Sequence, residues 1–387
     1  MHMEESSTKV SSILAKIIFI LAFTVFLLVM INLKNDVALC EGWTRGFARG
    51  YELAIGTLFK WIPFSLTEVF FIIIGIITIV LIIQLIVSLV KANFLRSFSK
   101  LLSIGLIVMS IVAVYFATAE MAYNREQHPV TVYEEKVEKT EFRKINDYFI
   151  TDMNKVTNDL QFQEDGEVVC PYSVGEMNDL LAVEFERLNA EYGDYFSPFT
   201  TRAKPMYITS LIYRELHITG VTFMPTTEAN VNFLNVNALK PITFAHEILH
   251  TKGVMKEEDA DFIALYMMLT SQNSYFRYSG YYFSLSSLNY LASLTDVPTD
   301  YDEVINSLNI NYKNNRNYGA KYWKEHNKFA DFGNWINDLY LKMSGEKEGT
   351  NSYNDTPTEV DPDRKEVIAF SLYQKLYFRL YYDAVKK

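Results

Sequence analysis

Three long apolar runs dominate the first third of the chain, and a polar sequence follows them. The runs cover about residues 13–33, 69–90 and 101–119, and each is close to the ~20 residues that a helix needs to cross a bilayer. They lack the polar face that a buried helix of a water-soluble protein would keep. The pattern therefore predicts a membrane domain over residues 1–119 and a soluble domain over residues 120–387.

The connections between the apolar runs indicate an orientation. Residues 91–100 form a short connection that contains Lys91, Arg96 and Lys100, and short basic connections favour the cytoplasmic side. Residues 34–67, predicted as a mixed loop, also contain basic residues, so the density of charge rather than its raw count favours this orientation. We expect a multi-pass protein of the cell membrane whose second domain is extracytoplasmic.

Most of the second domain has the periodicity of amphipathic helices. It is clear in Glu176–Glu191, in residues 302–345 and in the C-terminal segment Lys365–Val385. The alternating segment His217–Met224 instead predicts a strand, which ends at Pro225 because proline cannot donate to a sheet. The expected fold is a mostly α-helical α+β domain with a small sheet.

One predicted helix contains a pattern of metal ligands. It begins near Pro241 and includes His246-Glu247-Ile248-Leu249-His250, which has the form H-E-x-x-H. Histidines one helical turn apart can reach one metal ion, which for this pattern is Zn²⁺. Glu247 lies beside them, where a carboxylate can take a proton from a metal-activated water, and it is the predicted catalytic residue.

A zinc site of this type needs a third protein ligand, which the following acidic segment can supply. Glu257 and Asp261 are four residues apart, so they share one face of a predicted helix, and Glu257 is the preferred ligand. Glu258 and Asp259 point elsewhere and stay open as alternatives. H-E-x-x-H followed by E-x-x-A-D resembles the gluzincin metallopeptidases. That resemblance implies that Glu257 binds zinc and that Asp261 hydrogen-bonds a ligand histidine.

The predicted strand has a place in such a fold. Zincin folds place an edge strand above the metal helix, where it pairs with an extended substrate. We assign His217–Met224 to this position, with Val221, Thr222 and Phe223 as the expected substrate-binding residues.

A tyrosine-rich segment follows the acidic one. Ser274–Leu291 predicts an amphipathic helix that packs on the metal-binding helices. One of its tyrosines, or Arg277, is a further candidate for stabilising an oxyanion. His2, His128 and His326 have no identifiable partners and are predicted to be surface residues, while His217 is a further candidate near the site.

The charge and the cysteine content limit the classes of partner and of metal or disulfide site that we expect. The 387 residues have a formal net charge of −10, so a nucleic-acid partner is not expected. Cys40 and Cys170 are too few for a zinc ribbon or a disulfide framework, and two free thiols are the preferred interpretation. A pair between them stays open if both lie on the oxidising side of the membrane. The expected partners are the lipid bilayer and a peptide or protein substrate, and the oligomeric state stays open.

Short motifs across the chain resemble a bacterial membrane family catalogued as domain of unknown function 3810. They are Trp61-Ile62-Pro63-Phe64-Ser65, Tyr123-Asn124-Arg125, Gly220…Pro225…Glu228-Ala229-Asn230-Val231-Asn232, H-E-I-L-H-T-K-G, Ala260-Asp261-Phe262, Tyr278-Ser279-Gly280 and Gly345…Gly349…Ser352-Tyr353. The acidic motif of that family usually reads E-x-E-A-N-F, whereas this chain reads E-E-D-A-D-F from Glu257. The resemblance implies the membrane architecture more directly than a substrate.

These features predict a membrane-anchored zinc metallopeptidase that hydrolyses peptide bonds with an activated water. Two alternatives are a non-catalytic metal-binding receptor or scaffold and a zinc-dependent hydrolase of a non-peptide envelope substrate. A structural zinc site usually has four protein ligands, whereas three are evident in this sequence and the catalytic Glu247 is present. Catalysis is therefore the preferred interpretation.

Overall fold

The computed structural model describes residues 2–344 and 370–385. The predicted loop at residues 345–358 lies outside these residues. The chain divides into two compact units: Met1–Gln127 with Thr222–Glu228, and His128–Val221 with Ala229–Lys387.

Helices form most of the first unit. They are α1 (His2–Leu33), α2 (Val37–Trp43), α3 (Arg49–Phe59), α4 (Leu66–Val90) and α5 (Phe94–Thr118). By length and composition, Val10–Leu33, Leu66–Val90 and Phe94–Thr118 are long and apolar enough to cross a membrane. The expectation of three apolar helices is thus confirmed, and the chain is membrane-associated.

Capping residues explain where the structure differs from the predicted connections. Asp36 accepts a hydrogen bond from the Leu39 N–H at 3.0 Å and caps the start of α2. With α2 and α3, residues 34–67 are largely helical and not the mixed loop that we expected. Asn93 accepts from the Arg96 N–H at 3.1 Å and begins α5. The third apolar helix therefore starts at Phe94, within the predicted basic connection.

The segment Thr222–Glu228 belongs to the first unit through specific contacts. The Phe223 ring packs against Phe70 and Phe71 at centroid distances of 5.4 and 4.7 Å. The Thr67 N–H donates to Glu228 Oε2 at 2.7 Å, and the hydroxyl of Tyr51 donates to the Pro225 carbonyl at 2.6 Å.

The second unit is mostly helical with a small sheet, as predicted. Its helices are α6 (Lys139–Asn158), α7 (Val174–Tyr192), α8 (Ser210–Glu215), α9 (Lys240–Thr251), α10 (Glu257–Thr270), α11 (Ser274–Tyr290), α12 (Asp300–Ser307), α13 (Ile310–Glu325), α14 (Ala330–Ser344) and α15 (Leu372–Val385). Strands β1 (Lys204–Met206), β2 (Gly220–Phe223) and β3 (Glu228–Asn232) lie in the order β1-β3-β2, with β1 parallel to β3. Strand β2 is therefore at an edge of the sheet. Most residues of the three strands belong to the second unit, whereas Thr222, Phe223 and Glu228 belong to the first.

The core of this unit surrounds α10. Its residues Phe262, Ile263, Ala264 and Leu265 are consecutive and all fully buried, so the helix contacts apolar neighbours on every side. The tyrosines of α11 also lie in the core, where their hydroxyls find partners. Those partners are Asn237 O for Tyr275, Asn315 for Tyr278 and Asp152 for Tyr281.

Candidate metal centre

Helix α9 positions the two histidines of the H-E-x-x-H motif. Pro241 lies in its first turn, where a missing N–H costs nothing. Gly253 follows its end with a φ of +86°, a conformation that suits glycine, and its N–H donates to the His250 carbonyl at 3.1 Å. The chain then turns into α10, which begins at Glu257.

The three predicted ligands come together. His246 Nε2 lies 3.0 Å from Glu257 Oε2 and 3.0 Å from His250 Nε2. His250 Nε2 lies 3.6 Å from Glu257 Oε2. Among the described residues, these side chains form the group of ligand atoms close enough together to hold one metal ion.

Hydrogen bonds at the opposite ring nitrogens orient both imidazoles. His250 Nδ1 lies 2.7 Å from the Val254 carbonyl oxygen, which can only accept, so this nitrogen carries the proton. His246 Nδ1 lies 2.7 Å from Asp261 Oδ1, which favours the same tautomer. When both rings are neutral, their Nε2 atoms turn their lone pairs toward each other, an arrangement that a cation between them stabilises.

The geometry fits zinc. Ligand atoms around a tetrahedral Zn²⁺ at ~2.1 Å are separated by roughly 3.4 Å. The three separations of 3.0, 3.0 and 3.6 Å scatter around that value. Two imidazoles and one carboxylate are also a donor set that zinc accepts.

The charges around the site favour a cation as well. Burial alone would lower the pKa of His246, but the neighbouring Asp261 and Glu257 outweigh burial and raise it well above its usual value. Burial alone would raise the pKa of Glu257, but His250 and His246 hold it below its usual range. Glu257 is therefore ionised, as a metal ligand must be.

The two alternative acidic ligands lie elsewhere. Asp259 Oδ1 is 3.2 Å from His128 Nε2, and the His128 ring packs against Phe262 at a centroid distance of 5.4 Å. Glu258 is exposed on the surface of α10. Among the acidic residues that begin α10, the structure brings Glu257 to the two histidines.

Glu247 is buried beside the three candidate ligands, and its side chain packs against strand β2. A methyl group built on Gly220 would lie 2.7 Å from Cγ and 2.8 Å from Cδ of Glu247, closer than carbon atoms pack. The first residue of the edge strand therefore passes directly over the predicted catalytic carboxylate, and only glycine leaves room for it.

The predicted substrate-binding residues Val221, Thr222 and Phe223 form the rest of β2. The Val221 carbonyl accepts a hydrogen bond from the side-chain amide of Asn230 at 3.2 Å. The Phe223 ring is engaged with the aromatic rings of α4 described above. A role of this strand in binding substrate stays a prediction.

Other residues considered from sequence have different surroundings. Arg277 pairs with Asp152 of α6, so its guanidinium has a structural partner. His217 has a φ of +58° and its Nε2 lies 2.8 Å from the His326 carbonyl. His128 was expected at the surface, but its side chain is only 6% exposed because it packs between Asp259 and Phe262.

Tyr373 on α15 was not identified as a site residue from sequence. Its hydroxyl lies 3.1 Å from Asp261 Oδ2, while Asp261 Oδ1 binds His246. In the sequence Tyr373 is one of many tyrosines in an apolar helix, so only the folded chain reveals its position. Cys40 and Cys170 are both free.

Comparisons with known proteins identify a family without an activity. The model of the family described as "Protein of unknown function (DUF3810)" matches residues 43–358. No curated protein and no solved structure matches this chain.

Proposed function

Because the chain belongs to the DUF3810 family, whose description assigns no activity, we propose its function from the metal centre alone: a membrane-anchored zinc-dependent metallopeptidase. The fold that we propose for the second unit is zincin-like, of the gluzincin type, with α9 and α10 as its metal-binding helices.

The observation that carries the proposal is the position of Glu247 beside the cluster of three candidate ligands. His246, His250 and Glu257 present three ligand atoms at zinc-like separations. The next residue after His246 is a buried carboxylate that no ligand role requires. A structural zinc site is usually closed by four protein ligands, whereas a catalytic one keeps a position open, and this cluster contains three among the described residues.

The roles of the residues follow from these positions. Zinc bound here would lower the pKa of a water molecule and polarise the carbonyl of the substrate. Glu247 would accept the proton of the attacking water and return it to the leaving amine. Asp261 and the Val254 carbonyl hold the rings of His246 and His250 in the tautomer that leaves Nε2 free for the metal.

Strand β2 is suited to align a peptide. It lies at the edge of the sheet, and its first residue, Gly220, meets Glu247. An extended substrate that pairs with an edge strand is held mainly by main-chain hydrogen bonds. The scissile bond would then lie next to the carboxylate that activates water.

We further propose a multi-pass arrangement with the second unit outside the cytoplasm. The basic residues between the second and third apolar helices, Lys91, Arg96 and Lys100, favour the cytoplasmic side for this connection. Three crossings then place the N-terminus inside and everything after the third helix outside.

The experiment that tests the proposal combines metal analysis with a cleavage assay. The full-length chain, purified in detergent, is analysed for bound metal and then incubated with an unbiased peptide library. The proposal expects about one zinc ion per chain, since the described residues contain one three-ligand cluster, and peptide cleavage that a chelator abolishes. A zinc-loaded protein that cleaves no peptide would contradict the peptidase assignment and favour a scaffold or a non-peptide substrate.

A further inference from the structure

A polar groove lies in the second unit, formed by residues other than those of the metal centre. It has a volume of about 640 Å³, within the ~300–1,000 Å³ of small-molecule sites. One wall is the turn at residues 163–166, and the other is a face of α13. Side-chain amides, carboxylates and aromatic rings line it.

The first wall is a short, well-fixed hairpin. Phe162 and Val168 form an antiparallel bridge, and the Gln163 N–H donates to the Glu167 carbonyl at 2.8 Å. At its tip Gly166 has a φ of +94°, and an added methyl group would lie 3.1 Å from the Asn314 carbonyl oxygen. The hairpin therefore packs directly against α13. Because both walls are held by these contacts, the groove is a preformed feature of the fold.

The second wall presents a row of amides. Asn311, Asn314 and Asn317 follow each other at intervals of three residues along α13, all exposed in the groove. Within the described parts of the chain, no protein atom pairs with their side-chain amides. Each amide offers a donor and an acceptor in one plane, so the row can bind a ligand with adjacent hydroxyl groups.

Aromatic rings complete the surface. Tyr318 and Tyr322 stack at a centroid distance of 6.2 Å and an interplanar angle of 26°, and Phe162 lies on the opposite wall. The hydroxyl of Tyr322 donates to the Leu234 carbonyl, which fixes this pair on the fold. Half-buried rings of this kind offer an apolar face beside polar groups.

We propose that this groove binds a neutral oligosaccharide. A sugar ring has hydroxyls at its edge for the amides and a face of C–H groups for the tyrosine rings. Glu164, Asp165 and Glu325 outnumber Lys321 in the groove, which disfavours phosphates and other anions. The polar lining equally disfavours a lipid chain. This site is independent of the proposed peptidase activity, since it shares none of the metal-centre residues.

Calorimetric titration of the full-length chain in detergent tests the proposal, with cellotetraose, maltotetraose and chitotetraose as probes. At least one of them should bind, and raising the salt concentration should leave its affinity unchanged because the ligand is uncharged. Asn311→Ala, Asn317→Ala and Tyr318→Ala should each weaken binding by ~10-fold, since each removes direct contacts. Asn334→Ala, at an exposed asparagine of α14, is the matched control and should bind as the wild type does.

Three results would overturn the proposal. The first is that none of the three sugars binds. The second is that a sugar binds equally well to the asparagine and tyrosine variants. The third is that a lysine-rich peptide binds at this groove in place of the sugars, with an affinity that salt lowers. The melting temperature of each variant is measured alongside, so that a misfolded variant is recognised whether or not the chain binds zinc. The two exposed asparagine sites keep the test valid if Tyr318→Ala does not fold.

Discussion

The hydroxyl of Tyr373 lies 3.1 Å from one carboxylate oxygen of Asp261, whose other oxygen lies 2.7 Å from His246 Nδ1. These two contacts connect the last described helix, α15, to His246, a proposed metal ligand, through the carboxylate of Asp261. Asp261 therefore has its two oxygens held from opposite sides, and the ring of His246 is fixed in the orientation that aims Nε2 at the proposed metal.

The first prediction concerns this connection. Asp261→Ala should weaken zinc binding by roughly 10–100-fold because His246 loses its orienting partner. Tyr373→Phe should weaken it less, by a few-fold, since Asp261 stays in place. Competition with a chromogenic chelator measures both affinities. Tyr381→Phe, on the same helix, is the control, and an equal loss of zinc affinity in this variant would argue against a specific role of Tyr373.

The second prediction concerns the contact between strand β2 and Glu247, the proposed catalytic carboxylate. Gly220→Ala should displace Glu247, because the added methyl group would overlap its side chain. Turnover should fall by ~10²-fold, as general-base catalysis requires a well-placed base, while zinc content stays the same. Gly175→Ala, whose methyl group would meet its nearest atoms at 3.8 Å, is the control. Full activity in Gly220→Ala would show that Glu247 is not the base or that β2 moves away.

The third prediction separates the acidic residues of α10. Glu257→Ala should lose zinc, because it removes a proposed ligand, whereas Asp259→Ala should keep zinc because Asp259 pairs with His128. Metal analysis of the two purified variants measures the difference. The reverse result would mean that Asp259 is the third ligand.

The fourth prediction concerns the stability of the turn after α9. Lys252 is 1% exposed, and its ammonium group donates to the carbonyls of Ser197 and Phe199 at 2.6 and 2.8 Å. Lys252→Met should lower the thermal stability of the second unit, since the buried Ser197 carbonyl loses its charged donor at a cost of ~1–3 kcal/mol and the half-buried Phe199 carbonyl loses a second bond. Lys256→Met, at an exposed lysine, should have little effect in the same melting experiment. Equal melting temperatures for the two variants would contradict this account.

The fifth prediction concerns membrane topology. An epitope tag after the C-terminal lysine should react with antibody on intact cells, and a tag at the N-terminus should react only after lysis. The reason is the basic connection between the second and third apolar helices, which favours the cytoplasm. A C-terminal tag that is protected until lysis would place the metal centre on the cytoplasmic side.

Local patterns predicted the elements that depend on near neighbours in sequence. The spacing of His246, Glu247 and His250 determines their shared helix face, and the structure brings Glu257 to them as the spacing of the acidic segment indicated. The three apolar helices were equally predictable from the sequence, because length and composition alone identify them.

Contacts between distant parts of the chain could not be predicted in this way. His128 and Asp259 are separated by more than a hundred residues, and no local pattern relates them. Gly220 lay within the predicted strand His217–Met224, but its contact with Glu247 depends on how the sheet packs on α9 and could not be predicted from that pattern. The helical caps at Asp36 and Asn93 were present in the sequence, but the mixed composition around them favoured a loop.

The most direct test of the central claim compares the wild type with Glu247→Gln, both loaded with zinc, in one peptide-cleavage assay. The substitution keeps the shape of the side chain and removes the base, so zinc content should be equal and the cleavage rate should fall by at least ~10²-fold. Equal cleavage rates in the two zinc-loaded proteins would contradict the account, because Glu247 would then have no part in the reaction.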